Sequence, residues 1–323
     1  VRASSTAPEC EECSSAFFDR TWVRGYTLRF DFSAMNATSQ HSGLERVQII
    51  SEALPYIRRL HGQTIVVKYG GAAQTDDTLR AAVMRDVALL HYVGVRVVVV
   101  HGGGNEISAM CRQLGIEPQF VQGMRVTDAE TMRVTEMVMG QIGKNIAQHL
   151  NEAGAPSVGV SGKDGGLLRA KKFIGEADWG FVGEVEAVEP RLLNDLARNG
   201  FVPVVTPVAP GEDGATYNIN ADLAASAIAA SLGAVKLLLL TDVPGIYRDF
   251  EDKSSLLAEL NAREAEELIA SGAVSKGMIP KVRCCLEAVA GGVDKAHIVD
   301  GRAPHALLTE LFTDTGCGTM IMK

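Results

Sequence analysis

An excess of positive charge is missing from this chain: 31 lysines and arginines stand against 39 aspartates and glutamates, a formal net charge of -8. Without a basic footprint no nucleic-acid partner is expected, and an anionic substrate has to be met by a local cluster of cations, not by the overall field. Long apolar runs are missing too. None approaches the roughly 20 residues that cross a bilayer, so no membrane partner is expected and the chain reads as soluble. Cysteine is sparse and unframed: Cys10, Cys13, Cys111, Cys284, Cys285 and Cys317 show no disulfide spacing, which points to a reducing compartment. Cys10-Glu11-Glu12-Cys13 is half of a zinc pattern with no second pair nearby, so no protein-held metal is expected.

The two common nucleotide loops are also absent. Gly140-Gln141-Ile142-Gly143-Lys144-Asn145 lacks the spacing and the hydroxyl of GxxxxGK[ST], and Gly102-Gly103-Gly104-Asn105-Glu106-Ile107 breaks the GxGxxG fingerprint. What stands in their place is a pair of apolar strands, Ile65–Tyr69 and Val97–His101, each running straight into glycines: Gly70-Gly71 and Gly102-Gly103-Gly104. Glycines there leave bare N–H groups that a phosphate can approach without meeting a Cβ. Lys68 lies inside the first of these strands, where an unpaired ammonium is costly, so it needs an anion.

At 323 residues the chain can bury a large core, as two lobes or one large α/β domain. Regular patterning begins with a helical period over Leu44–Leu60, which Pro55 should kink or restart. This helix reads either as packed on its own core or as an oligomerisation arm. From Gln63, strands near 65–69, 97–101, 157–161, 202–207, 237–241 and 297–300 alternate with amphipathic stretches at 76–92, 128–151 and 220–232. That alternation predicts an α/β fold, a mostly parallel central sheet with helices on both faces and ligands at the carboxyl ends of the strands. Between Leu167 and Val188 the pattern turns to β-hairpins, expected either as a lid over the site or as a surface hairpin. Residues 1–43 form an unassigned extension whose hydroxyl-rich start resembles a transit remnant, although Glu9, Glu11 and Glu12 fit that poorly.

Taken in order, Lys68-Tyr69-Gly70-Gly71, His101-Gly102-Gly103-Gly104, Gly123-Met124-Arg125-Val126-Thr127, Asn218-Ile219-Asn220-Ala221-Asp222, Thr241-Asp242-Val243-Pro244-Gly245-Ile246-Tyr247 and Gly277-Met278-Ile279-Pro280-Lys281 resemble the amino acid kinase family. The likeness is greatest to its arginine-sensitive, plastid-type members that act on N-acetyl-L-glutamate, and it runs from Leu44 to the end of the chain. It implies an acyl-substrate lobe over 63–207 and a nucleotide lobe over 208–323. The implied reaction is transfer of a phosphoryl group from ATP, carried with Mg2+, to the side-chain carboxylate of N-acetyl-L-glutamate. That carboxylate, with an ordinary pKa of about 4, is already ionised and needs no general base. The implied roles are Lys68 and Lys281 as cationic stabilisers, Asp222 holding both, and Gly70, Gly71, Gly103 and Gly104 as N–H donors. Arg125 and Asn218 are the implied substrate clamp, a guanidinium for a two-pronged carboxylate pair and an amide for the acylated amine. Asp242, Gly245, Tyr247, Lys276 and Gly277 fall on the nucleotide side.

The resemblance further implies inhibition by L-arginine at His297, Glu310 and Gly316, a homohexamer linked through the helix at 44–62, a plastid (chloroplast) location, and a PII-type signal protein as partner. Three alternatives stay open. They are a kinase of the same fold acting on aspartate, glutamate or carbamate, a non-catalytic arginine-binding module, and a dinucleotide-dependent oxidoreductase. Each of the singled-out side chains also has a plainer reading. Lys281 would be a solvated helix lysine, Asp222 a first-turn acid complementing the helix dipole, and Arg125 a surface partner of Asp128 or Glu130.

Overall fold

Branched apolar runs become the buried strands of a single large sheet. The computed structural model describes residues 42–121, 124–249, 251–275 and 277–323. The readings made of residues 1–41, including the Cys10–Cys13 pair and the transit-like profile, lie outside the described residues, as does Lys276. Gly43–Lys323 clusters as one unit.

Its strands are β1 (Thr64–Tyr69), β2 (Arg96–His101), β3 (Phe120–Val121), β4 (Met124–Arg125), β5 (Ser157–Ser161), β6 (Leu168–Lys172), β7 (Val182–Val188), β8 (Val202–Thr206), β9 (Val208–Pro210), β10 (Thr216–Ile219), β11 (Lys236–Thr241), β12 (Glu259–Asn261), β13 (Lys295–Asp300) and β14 (Thr319–Met322). The helices are α1 (Gly43–Leu60), α2 (Ala72–Thr75), α3 (Asp77–Tyr92), α4 (Gly104–Gln113), α5 (Ala129–Glu152), α6 (Arg191–Arg198), α7 (Ala221–Ser231), α8 (Ala262–Ala270), α9 (Ile279–Ala290) and α10 (Ala306–Phe312).

The main sheet has the order β12-β14-β13-β11-β1-β2-β8-β5 and is parallel throughout except where β13 meets β14. β1 lies inside it, with Lys68 paired to Leu239 on one side and Val100 on the other. Alternation along the strands divides the core. Val66, Val98, Val100, Leu237 and Leu239 face one layer with Ile228 of α7 and Val282 of α9. Ile65, Val67, Val97, Val99, Leu238 and Leu240 face the other with Val87 of α3, Leu150 of α5 and Leu307 of α10. Each such side chain contributes about 1.5–3 kcal/mol on burial, and the period-2 pattern turns Lys68 towards the same layer as Val66. Both faces are covered by helices, as a parallel sheet requires.

Two expectations need refining. The segment after Leu167 is no free hairpin: β6 and β7 join β10 and β9 in a four-stranded sheet of order β6-β7-β10-β9. Trp179 at its turn is 2% exposed, stacks edge-on against Phe173 and donates its indole N–H to Val121 O at 3.3 Å. β10, beyond residue 207, therefore pairs with β7 from before it, and β9 lies at the edge beside β10. The leading helix α1 runs through Pro55 as one 18-residue element. Only Leu60 on it is buried, while Leu44, Val47, Ile50 and Leu54 are exposed. No helix among the described residues is long and apolar enough to cross a membrane.

Candidate active site

The carboxyl ends of β1 and β2 and the amino end of α7 converge on one charged cluster. α7 starts at Asn220, whose side-chain oxygen accepts the N–H groups of Asp222 at 2.8 Å and Leu223 at 3.2 Å. That cap fixes Asp222 in the first turn. Across from it α9, opened by Pro280 in its first turn, presents Lys281. The two helices pack tightly, with Ser226 Oγ donating to Cys284 O at 3.1 Å and Cys284 Sγ to Asp222 O at 2.9 Å.

Lys68 Nζ lies 2.9 Å from Asp222 Oδ1 and Lys281 Nζ 3.0 Å from Oδ2. One carboxylate thus separates two ammonium groups contributed by residues 213 positions apart, as 281 less 68. Burial works against ionisation of Asp222, but the attraction of Lys68 and Lys281 outweighs it and holds the carboxyl below its ordinary range. Among the described residues no cluster of three or more His, Cys, Asp or Glu is placed to hold a metal ion. With both Asp222 oxygens on ammonium groups, the arrangement fits a magnesium ion carried in on nucleotide phosphates better than one held by the protein.

The glycine turns flank this cluster. A Cβ at Gly70 would stand 3.0 Å from Lys68 Nζ, and one at Gly102 3.9 Å from the Ala221 methyl, next to Asp222. Gly71 has φ 68°, and the Asp242 carboxylate fills the place a Cβ would take. Asp242 Oδ1 also accepts the Ala72 N–H at 2.6 Å, so this residue of the expected nucleotide side braces the first glycine turn. Gly103 caps α4 and Gly104 opens it, which leaves their N–H groups without partners in that helix. Gln74 Nε2 donates to Gly102 O at 2.9 Å and staples the two turns together.

Arg125 on β4 is 8% exposed and has no partner in Asp128 or Glu130. Its Nη2 donates to Gly104 O at 2.6 Å and Ser108 Oγ at 2.7 Å, while the buried Nη1 has no hydrogen-bond partner. Both Nη2 hydrogens are spent on these neutral partners, and the buried Nη1 hydrogens remain as donors for a ligand. Asn218 is half-buried on β10, two residues before the α7 cap. Gly245 and Tyr247 line an apolar pocket with Val274 and Met278, and Gly277 is exposed at the start of the turn into α9.

His297, Glu310 and Gly316 also come together, away from the lysine pair. His297 Nδ1 meets Glu310 Oε1 at 2.6 Å, and Glu310 Oε2 accepts Cys317 N–H at 2.7 Å and Gly318 N–H at 3.1 Å. Gly316, at φ 62°, leaves no room for a Cβ beside Oε2. Sequence reading missed Lys236, whose Nζ lies 3.3 Å from His297 Nε2 and whose pKa burial lowers to about 8. Its only signal was a lysine heading a leucine strand. Ser108 and Gln74 carried no signal at all, being ordinary polar residues at helical positions.

The family model for the amino acid kinase family matches residues 63–300. With a parallel sheet, glycine turns at the ends of two adjacent strands and a lysine–aspartate–lysine cluster beside them, the chain belongs to the amino acid kinase family. Within that family it falls with the acetylglutamate kinases. It is 56% identical over 278 residues to acetylglutamate kinase of Acaryochloris marina, covering 86% of this chain and 98% of the relative. It is 51% identical over 288 residues to that of Symbiobacterium thermophilum, covering 87% and 98%. Among solved structures, N-acetylglutamate synthase of Neisseria gonorrhoeae, complexed with coenzyme A and N-acetyl-glutamate, superposes with a TM-score of 0.76 at 28% identity. That match covers 88% of this chain and 64% of the synthase. Carbamate kinase of Giardia lamblia shares the fold, with a TM-score of 0.60 at 20% identity over 81% of this chain and 99% of the kinase.

Proposed function

We propose that this enzyme transfers the γ-phosphoryl group of ATP to the side-chain carboxylate of N-acetyl-L-glutamate. A carboxylate oxygen bonds to the γ-phosphorus as the bridging P–O bond to ADP breaks, and the electron pair leaves with ADP. No proton has to move. The obstacle is repulsion between two anions, and the observation that carries the reading is the carboxylate of Asp222 with an ammonium on each oxygen. Lys68 and Lys281, held apart by that carboxylate, neutralise the charge gathering on the transferring group. The N–H groups of Gly70, Gly71, Gly103 and Gly104 supply further donors. Magnesium carried in on the nucleotide would spread the phosphate charge, while Lys68, Lys281 and the glycine N–H groups hold the phosphates themselves. Arg125 offers Nη1 to the α-carboxylate and Asn218 an amide to the acetylated nitrogen. Asp242, Gly245, Tyr247 and Gly277 are assigned to the nucleotide side, and so by family likeness is Lys276. Trapping the acyl phosphate with hydroxylamine, across acetylated and free amino acids, tests the substrate. Product from free glutamate or aspartate, and none from N-acetyl-L-glutamate, would overturn it.

The finer reading is that this is an arginine-inhibited, plastid-type hexameric enzyme of the chloroplast that also answers to a PII-type protein. Support comes from the cluster of His297, Glu310, Gly316 and Lys236 lying near the exposed helix α1. Tyr56 of α1 donates to Asp314 Oδ1 at 2.6 Å and packs edge-on against Phe312, so a ligand that moves the segment after α10 would reach α1. The related synthase has been solved with coenzyme A and L-arginine, at a TM-score of 0.72. L-arginine should slow the full chain, and removal of residues 1–60 should abolish both that response and the oligomer. Unchanged inhibition of a truncated monomer would refute this coupling. PII should change the arginine response, and a titration without effect removes that partner.

A further inference from the structure

Among the described residues every partner of Arg125 is uncharged. Its Nη2 is held by the Gly104 carbonyl and the Ser108 hydroxyl, and Ser108 Oγ passes its own hydrogen to Gly104 O at 2.9 Å, closing a three-membered network. The guanidinium lies over the Phe120 ring at 4.8 Å, another neutral contact. The nearby titratable groups do not cancel its charge either. Burial pushes the Cys111 thiol up, so it stays neutral, and Arg112 adds charge of the same sign. The Asp128 carboxylate is engaged as the cap of α5, accepting the Thr131 N–H at 2.8 Å. Among the described residues no carboxylate pairs with Arg125, and its Nη1 is buried without a partner.

A buried guanidinium that keeps its whole charge is costly unless a ligand supplies the anion. We infer that Ser108 is a specificity-determining positioning residue, a neutral support that fixes Arg125 while leaving its charge for a substrate carboxylate. An acidic residue at that position would hold the guanidinium equally well and neutralise it, so the site would bind a carboxylate and its carboxamide alike. A serine holds it through one hydroxyl and makes the substrate complete the ion pair. The inference rests on Arg125 being the substrate clamp, as proposed above.

The test compares Ser108→Asp with Ser108→Asn, which match in size and differ in charge, on the full-length enzyme. The substrates are N-acetyl-L-glutamate and its α-carboxamide. Wild type should prefer the carboxylate by about 10- to 100-fold in kcat/KM, the range set by a charge-assisted hydrogen bond. Ser108→Asp should raise KM for N-acetyl-L-glutamate by a similar factor, erase most of that preference and leave KM for ATP within about twofold. Ser108→Asn should keep the preference, and Ser108→Thr, which retains the hydroxyl, should keep both preference and KM. Equal loss in the Asp and Asn variants, or an intact preference in Ser108→Asp, would overturn the inference. Arg125→Ala separates the two layers: a normal KM in that variant would sink the clamp reading itself. A raised KM there with an unaltered Ser108→Asp enzyme would sink only the role of Ser108.

Discussion

Replacing Asp222 with asparagine keeps the shape of the side chain and removes the charge that both lysines share. At 2.9 and 3.0 Å, each ammonium–carboxylate attraction is about 5 kcal/mol gross at an effective dielectric near 20. Desolvation offsets most of it, and removing one partner from a fully buried pair costs about 3–5 kcal/mol. The Lys68 and Lys281 side chains are 12% and 23% exposed, so water relieves part of that, and about 2–3 kcal/mol of stability should be lost. The catalytic loss should be larger than folding explains. Two mutually repelling ammonium groups without their spacer leave the positions where they stabilise the transferring phosphoryl group, and kcat should fall about 10²- to 10³-fold. KM for ATP should change little, because the uncancelled positive charge still attracts the nucleotide. Steady-state hydroxamate formation, at a temperature where circular dichroism shows the variant folded, measures this. A folded Asp222→Asn enzyme with more than a third of wild-type kcat would refute the role given to Asp222.

Other outcomes follow from single contacts. Lys281→Ala should lower kcat by about 10²-fold or more while KM for either substrate moves less than about threefold, read from initial rates. Gly103→Ala places a Cβ 2.6 Å from Ile142 Cδ1 and Met139 Sδ, and this overpacking should cost about 1–3 kcal/mol in a urea melt. His101, buried against Thr206 Oγ1 at 2.8 Å, has its pKa lowered by burial to about 4. The unfolded histidine takes up its proton near pH 6.5 and the folded one only near 4. Stability is therefore whole above the higher value and falls by up to about 3 kcal/mol between them. Denaturant midpoints at several pH values should show a shallower slope in His101→Asn, the remainder coming from His297 and His91, whose pKa values burial also lowers.

Much of this was legible because strands and glycines leave strong local signals. The valine and leucine runs of β1, β2 and β11 fixed a parallel sheet, and a lysine among valines at 68 demanded an anion somewhere. Which anion was not a local matter: Asp222 lies 154 residues later, as 222 less 68, and only family likeness joined it to Lys68 and Lys281. The hairpin pattern over 167–188 accounts for β6 and β7 but not for their union with β9 and β10, because the pairing of Asn218 with Val182 is a contact between distant segments. Asp242 and Gln74 act on the glycine turns through side-chain-to-backbone bonds, which no periodicity records. Ser108 was silent for the same reason, since a hydroxyl on α4 gains meaning only from the guanidinium that β4 brings to it.

A crystal structure with MgADP, N-acetyl-L-glutamate and a planar aluminium fluoride in place of the transferring group tests the central claim most directly. The Nζ atoms of Lys68 and Lys281 should both lie within about 3 Å of the fluorides or the flanking oxygens, with Asp222 still between them. Either lysine turned away from the mimic, or Asp222 swung out to ligate the metal, would contradict the account.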